Sequence, residues 1–241
     1  MLLTIGLFLI AAFEAFNCQS SPEITPIEGG FNGTGITTLY WDCCKVSCAW
    51  FVESTNVKSP VQACEVDGIT PIDFNAQSGC AEEGSSFTCN SQQPWIVNDT
   101  LAYGFTAASF TGGADTSNCC RCVLLSFLGQ LQGKQMLLQI TNTGGDLFEN
   151  HFDIAIPGGG VGLFNLGCIR QWNAPENGWG ARYGGISTLS ECDDLPEQLQ
   201  DGCRVRFNFL EGYDNPNVTF TEVQCPSELT AITGCVSDVQ N

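Results

Sequence analysis

The sequence predicts an all-β-dominant domain with long disulfide-crosslinked loops and a few short helices. Three observations lead there. The 241 residues include fifteen cysteines, which a reducing compartment would leave free and reactive and an oxidising one would pair. Gly and Pro number 27 and 10, so turns are frequent. The apolar segments are short, β-branched or aromatic, and bounded by turn formers rather than spaced at helical period. The length suits one all-β domain with a sizeable core.

Eight basic residues stand against 26 acidic ones, for a formal net charge of −18. That balance excludes nucleic acid as a partner, because phosphate neutralisation needs clustered Lys and Arg. At 14% charged residues the chain is also too sparsely charged for a coiled coil or a disordered acidic tail. The single His argues against zinc sites that mix Cys with His. No metal and no cofactor are expected.

At the N-terminus, residues 2–13 form an apolar run too short to span a bilayer, followed at once by polar residues. Residues 1–20 read as a signal peptide, with Cys18 and Ser20 as the small residues before the cut. Removing Cys18 from the fifteen leaves an even fourteen, enough for seven disulfides with no orphan. No later stretch is long and apolar enough for a membrane span, so a secreted monomer without membrane contact is expected. Sequons at Asn32, Asn98 and Asn217 would be surface glycosylation sites in a eukaryotic secretory pathway.

Residues 21–35, rich in Ser, Pro, Gly and Thr, read as a flexible leader, and 36–241 as one domain. Strands are expected at 37–41, 134–141, 151–156, 205–209 and 218–223. The fourth of these, 205–209, rests on Arg204, Arg206 and Asn208 alternating with Val205, Phe207 and Phe209, the pattern of a half-buried strand. Helices are expected at 99–108, capped by Asp99, and at 187–194.

Two segments could carry chemistry. In Tyr40-Trp41-Asp42-Cys43-Cys44 the adjacent cysteines are poorly placed to pair with each other, so they should staple two other parts of the chain here. Asp42 would then be held rigidly among Tyr40, Trp41 and Trp50, as catalysis demands, or would simply cap a turn. In the second segment, strand alternation puts His151, Asp153 and Ala155 on one face and Phe152, Ile154 and Ile156 on the other. Desolvation there would raise the pKa of Asp153, whereas backbone amides from the glycine-rich 158–162 loop would lower it.

Two carboxylates on separate rigid segments, with aromatic platforms, are the minimal kit for glycosidic hydrolysis: one acid for the leaving oxygen and one base for water. Other chemistries fit less well. A nucleophilic triad could use only His151, with no nucleophile indicated. Cys119-Cys120-Arg121-Cys122 suits disulfides better than a metal knuckle. The 158–162 run lacks the Lys-Ser/Thr ending of a phosphate loop.

The segment Thr37-Thr38-Leu39-Tyr40-Trp41-Asp42-Cys43-Cys44-Lys45, continued by Ser47-Cys48 and Trp50, resembles the signature of glycoside hydrolase family 45, the small inverting endoglucanases. The resemblance runs on through Cys119-Cys120-Arg121-Cys122, Gly144-Gly145-Asp146, Asn150-His151-Phe152-Asp153, Arg182-Tyr183-Gly184-Gly185 and Asp214-Asn215-Pro216, and covers essentially all of 36–235. It implies a six-stranded double-psi β-barrel with an open groove for a β-1,4-glucan. It further implies Asp42 as general base, Asp153 as general acid and Asp146 as an assisting carboxylate on a mobile loop. Tyr40 would support the reacting sugar and Trp50 would stack a more distant one, with Thr38, Lys45 and His151 near the groove.

The family's disulfide pattern, carried over, pairs Cys43 with Cys168, Cys44 with Cys80, Cys48 with Cys119 and Cys64 with Cys89. It also pairs Cys120 with Cys235, Cys122 with Cys225 and Cys192 with Cys203. Leu39, Val46 and Ala49 depart from the residues usual in the family, and no cellulose-binding module is expected beside the domain. The contrasting expectation is a non-hydrolytic, expansin-like wall-binding protein, which shares the His-Phe-Asp motif but lacks a base at the position of Asp42. Xyloglucan or glucomannan as the polymer is the other alternative, since loop shape rather than the acid and base decides branch tolerance.

Overall fold

The structure is a computed structural model that describes residues 22–51 and 57–238. The expected signal peptide and Cys18 lie outside the described residues. Nine strands and three α-helices follow one another as β1 (Asn32–Tyr40), β2 (Val57–Ser59), β3 (Trp95–Asn98), β4 (Leu101–Ser109), β5 (Cys122–Phe127), β6 (Gln135–Asn142), β7 (His151–Ala155), α1 (Leu166–Trp172), α2 (Glu197–Asn208), β8 (Asn217–Val223), α3 (Ser227–Thr233) and β9 (Val236–Ser237).

Six strands close into a barrel in the order β4-β6-β5-β8-β1-β7, with β7 returning to β4. β1 runs parallel to β7 and β4 parallel to β6, while the other barrel pairs are antiparallel. β3 adds to the outer half of β4, and β2 with β9 forms a separate ribbon. Period-two alternation sends Leu125, Met136, Leu138, Phe152, Ile154 and Phe220 into one apolar cluster. On the opposite face Leu101, Tyr103, Phe105 and Leu137 pack against Trp41, Trp179 and the Cys43–Cys168 region. β4 and β6 are therefore buried on both faces, whereas β1 and β8 expose alternate residues on their outer face.

Seven disulfides join Cys43 to Cys168, Cys44 to Cys80, Cys48 to Cys119, Cys64 to Cys89, Cys120 to Cys235, Cys122 to Cys225 and Cys192 to Cys203. This is the pairing the family resemblance implies, and the neighbours Cys43 and Cys44 do reach different parts of the chain.

Three expectations are corrected. Residues 205–209 are not a strand: they straddle the end of α2, where Leu199, Gly202, Cys203 and Arg206 are buried at helical spacing. Arg206 is a core residue despite its charge, which turned a helical stripe into an apparent alternation. Residues 99–108 are not a helix but mostly β4, in which every residue is buried. A strand covered on both faces loses its alternation, and Asn98 rather than Asp99 organises the turn, accepting from the Thr100 amide at 2.9 Å. The expected leader is built into the barrel. Asn32–Tyr40 is one continuous strand, the Ile27 amide donates to the Glu222 carbonyl, and Pro26 bridges to Val223. At 187–194 the observed element is a 3-10 helix over Leu189–Asp194, closed by a Thr188/Glu191 capping box.

Candidate active site

β1 sends Thr38 and Tyr40 to the same side of the barrel wall, and its parallel neighbour β7 sets Asp153 directly across from Thr38. Asp42 lies two residues beyond Tyr40, just past the strand end. There the chain turns through Cys43 in the left-handed region, φ 62°, a conformation that persists in a non-glycine residue only when its surroundings over-determine it. The Cys43–Cys168 and Cys44–Cys80 bonds do that. The Cys44 amide donates to Asp42 Oδ1 at 2.9 Å, which fixes the carboxylate.

The approach of α1 to this turn depends on Gly167. A Cβ there would stand 2.4 Å from the Asp42 carbonyl oxygen and 2.7 Å from the Cys80 sulfur. Only glycine lets the helix carrying Cys168 come that close.

Asp42, Asp153, Asp146 and Tyr40 line one cavity of about 80 Å³, together with Leu163 and Phe164. A larger cavity of about 360 Å³ continues from it past Thr38, His151 and Asp153 to Arg182, Tyr183 and Asp214. Together they form a cleft across one end of the barrel.

Burial raises Asp42 to about 6, against the lowering effect of the Cys44 amide. Burial raises Asp153 further, to about 7, where the Thr38 hydrogen bond lowers it and the charges of Asp42 and Asp146 raise it again. Desolvation thus outweighs hydrogen bonding at both carboxyls. Desolvation and the charge of nearby Asp42 hold the half-buried Tyr40 well above the usual phenol range. Its hydroxyl accepts from Asn142 Nδ2 at 3.1 Å.

The hydrogen-bond pattern settles the His151 tautomer. Nδ1 accepts from the Phe148 amide at 3.3 Å, so the proton sits on Nε2, 2.8 Å from Thr38 Oγ1. The Thr38 hydroxyl accepts there and gives its own hydrogen to Asp153 Oδ1 at 2.6 Å. His151 is 5% exposed, and burial lowers its pKa against the pull of Asp146. A neutral imidazole therefore backs Thr38, which in turn backs Asp153.

Lys45 and Trp50, two expected groove residues, are paired with each other. Lys45 is buried, and its Nζ donates to the carbonyls of Phe74 and Ala76 at 2.6 and 2.9 Å. The ammonium lies 3.4 Å from the centroid of the Trp50 ring, which it braces. Burial brings Lys45 down to about 8, against the opposing charge of Asp73. Neither Lys45 nor Trp50 lines the two cavities around the carboxyls. Of the three unusual residues beside Asp42, Leu39 lines the cleft, whereas Val46 and Ala49 sit in a separate apolar cluster. Asn32 and Asn217 are exposed and Asn98 is partly covered.

Sequence reasoning assigned no role to Asn142, Arg182, Tyr183 or Asp214, all of which stand at the cleft. The last three fall within short motifs already visible in the chain. Asn142 ends a strand just before Thr143-Gly144-Gly145, and nothing in its neighbours marks it.

The sequence pattern of glycosyl hydrolase family 45 matches residues 34–236. An endoglucanase from Phaedon cochleariae is 54% identical over 218 residues, covering 90% of each chain. An endoglucanase from Cryptopygus antarcticus is 51% identical over 215 residues, covering 88% of this chain and 94% of that one. The crystal structure of a cellulase from the Antarctic springtail Cryptopygus antarcticus superposes with a TM-score of 0.80 at 50% identity, covering 86% of this chain and 98% of that one. The barrel, its disulfides and its paired carboxyls thus sit in a chain that belongs to glycosyl hydrolase family 45.

Proposed function

We propose that this glycoside hydrolase is a secreted, monomeric endo-β-1,4-glucanase that cleaves internal bonds of cellulose or a related β-glucan with inversion at the anomeric carbon. Asp42 is the general base and Asp153 the general acid. The observation that carries this is the single cavity shared by the two carboxyls, each raised toward neutrality by burial. Its volume of about 80 Å³ is several times the roughly 10–15 Å³ that one water needs, and an inverting enzyme must hold a water between its carboxyls.

Asp42, ionised, takes a proton from that water as the water attacks the anomeric carbon. Asp153, protonated, gives its proton to the departing glycosidic oxygen. Thr38, backed by His151, orients Oδ1 of the acid so that its proton is presented from the other oxygen. Asp146, exposed at the cleft edge, adds negative charge near the developing oxocarbenium, and Tyr40 lies beneath the reacting sugar. Trp50, its ring fixed by Lys45, supplies a stacking face for a distant glucosyl unit. The seven disulfides support an oxidising, extracellular setting, and no helix among the described residues is long and apolar enough to cross a membrane.

The test is reducing-end release from soluble carboxymethyl cellulose, with NMR of the first-formed anomer. The expectation is α-configured new ends, and loss of activity by at least about 10²-fold in Asp42→Ala and Asp153→Asn, the scale of a general acid or base. β-Configured ends, or a fully active variant, would overturn the assignment. Binding of glucan without cleavage would point instead to the expansin-like reading.

A further inference from the structure

The cleft wall formed by 182–184 and 214–215 belongs to no strand of the barrel, yet it faces the acid across the larger cavity. Its inner loop is rich in glycines with positive φ, at 180, 184 and 185, so the backbone alone does not define it. What defines it is Arg206. From the last turn of α2 and only 4% exposed, its Nη1 donates to the carbonyls of Gly184 and Ile186 at 2.6 and 2.7 Å. Its Nη2 donates to Asp214 Oδ1 at 2.6 Å. Two residues beyond Asp214, the Pro216 carbonyl accepts from Thr37 Oγ1 at 2.8 Å, next to Thr38 on β1.

A buried guanidinium is costly to desolvate unless its donors are taken up. Here both Nη nitrogens are taken up by two loops that line the cleft, while Nε is buried without a hydrogen-bond partner. The planar fork suits three acceptors held in fixed directions, which a lysine ammonium cannot match. Nothing in the acid-and-base chemistry requires Arg206: it touches neither Asp42 nor Asp153.

We infer that Arg206 is a positioning residue for polymer recognition: it fixes the wall against which the sugars beside Asp153 are bound, and so sets affinity for the glucan rather than the acidity of the acid. This rests on the function proposed above. Because the wall contacts substrate and transition state alike, its loss should weaken binding in both.

The experiment compares Arg206→Met, Arg206→Lys and Asp214→Ala on soluble carboxymethyl cellulose, with folding checked by circular dichroism and kcat, KM and the pH profile measured separately. Arg206→Met should raise KM roughly tenfold, within the about 10²-fold range that misplaced binding geometry can cost. Its kcat should stay within about twofold of the parent and the alkaline limb of its pH profile should not move. Arg206→Lys and Asp214→Ala, each keeping part of the network, should give smaller rises and keep the test open if Arg206→Met does not fold. A native KM in folded Arg206→Met, a fall in kcat at constant KM, or a displaced alkaline limb would overturn the inference. Failure of the parent enzyme to release reducing ends would instead reject the function on which it rests.

Discussion

Thr38 and Asp153 face each other across the β1/β7 pair, with the hydroxyl 2.6 Å from the carboxyl oxygen and its hydrogen directed at it. Because that bond favours the ionised carboxylate, it restrains the rise caused by burial. Thr38→Val, nearly the same shape, removes the restraint. The Asp153 pKa should rise further, so the alkaline limb of the pH profile should move to higher pH while the rate falls. The variant also leaves His151 Nε2–H without its partner, at a cost of about 1–3 kcal/mol in stability. An unmoved alkaline limb would show that Thr38 does not act on the acid.

The pH dependence of hydrolysis follows from the two carboxyls. A base must be ionised and an acid protonated, so activity rises as Asp42 loses its proton at about 6 and falls as Asp153 loses its own at about 7. The expected profile of kcat/KM is a narrow bell peaking between these values. A broad plateau extending well above pH 8 would contradict the assignment of Asp153.

Stability should respond in the opposite sense to the usual carboxylate. Asp153 has a folded pKa above its ordinary value, so it favours the native state while protonated, at low pH, and this contribution is lost as pH rises through about 7. Asp153→Asn removes the ionisation. Its melting temperature should exceed that of the parent at pH 8 by more than it does at pH 4. Equal differences at both values would mean the carboxyl is not desolvated.

Gly167→Ala tests the packing behind Asp42. The added methyl would sit 2.4 Å from the Asp42 carbonyl oxygen, and neither the backbone nor the two crosslinks beside it can give way cheaply. Overpacking of this kind costs typically about 1–3 kcal/mol. Because the displaced backbone is that of Asp42, the proposed base, activity should fall at least about tenfold, in line with the sensitivity of positioned groups to small shifts. A stable, fully active variant would show that the turn holding Asp42 is not tightly set.

β6, β7 and β8 stand within one or two residues of the expected positions: β8 alternates exposed and buried residues, while β6 and β7, largely buried, were legible as short apolar runs bounded by turn formers. Asp42 and Asp153 stood out through their neighbours. Burial on both sides removes the alternation that would otherwise tell a strand from a helix. β4 is covered throughout, and its Ala-rich, capped appearance suggested a helix. Arg206 presented itself as a solvent-facing residue because its burial depends on carbonyls 20 and 22 residues earlier in the chain. Pro26 and Ile27 looked unstructured because their partners, Val223 and Glu222, are near the other end. Pairings over such separations leave no local period, and the sheet order of this barrel is made largely of them.

The arrangement of crosslinks has a consequence for encounters with proteases. The Cys43–Cys168 bond spans the first part of the domain and Cys120–Cys235 the remainder, with overlap between 120 and 168. A single cut at any peptide bond from 43 to 235 therefore leaves two pieces that cannot diffuse apart. Digested enzyme should run as one band on a gel without reductant and as fragments with it, while still cleaving glucan in the unreduced sample.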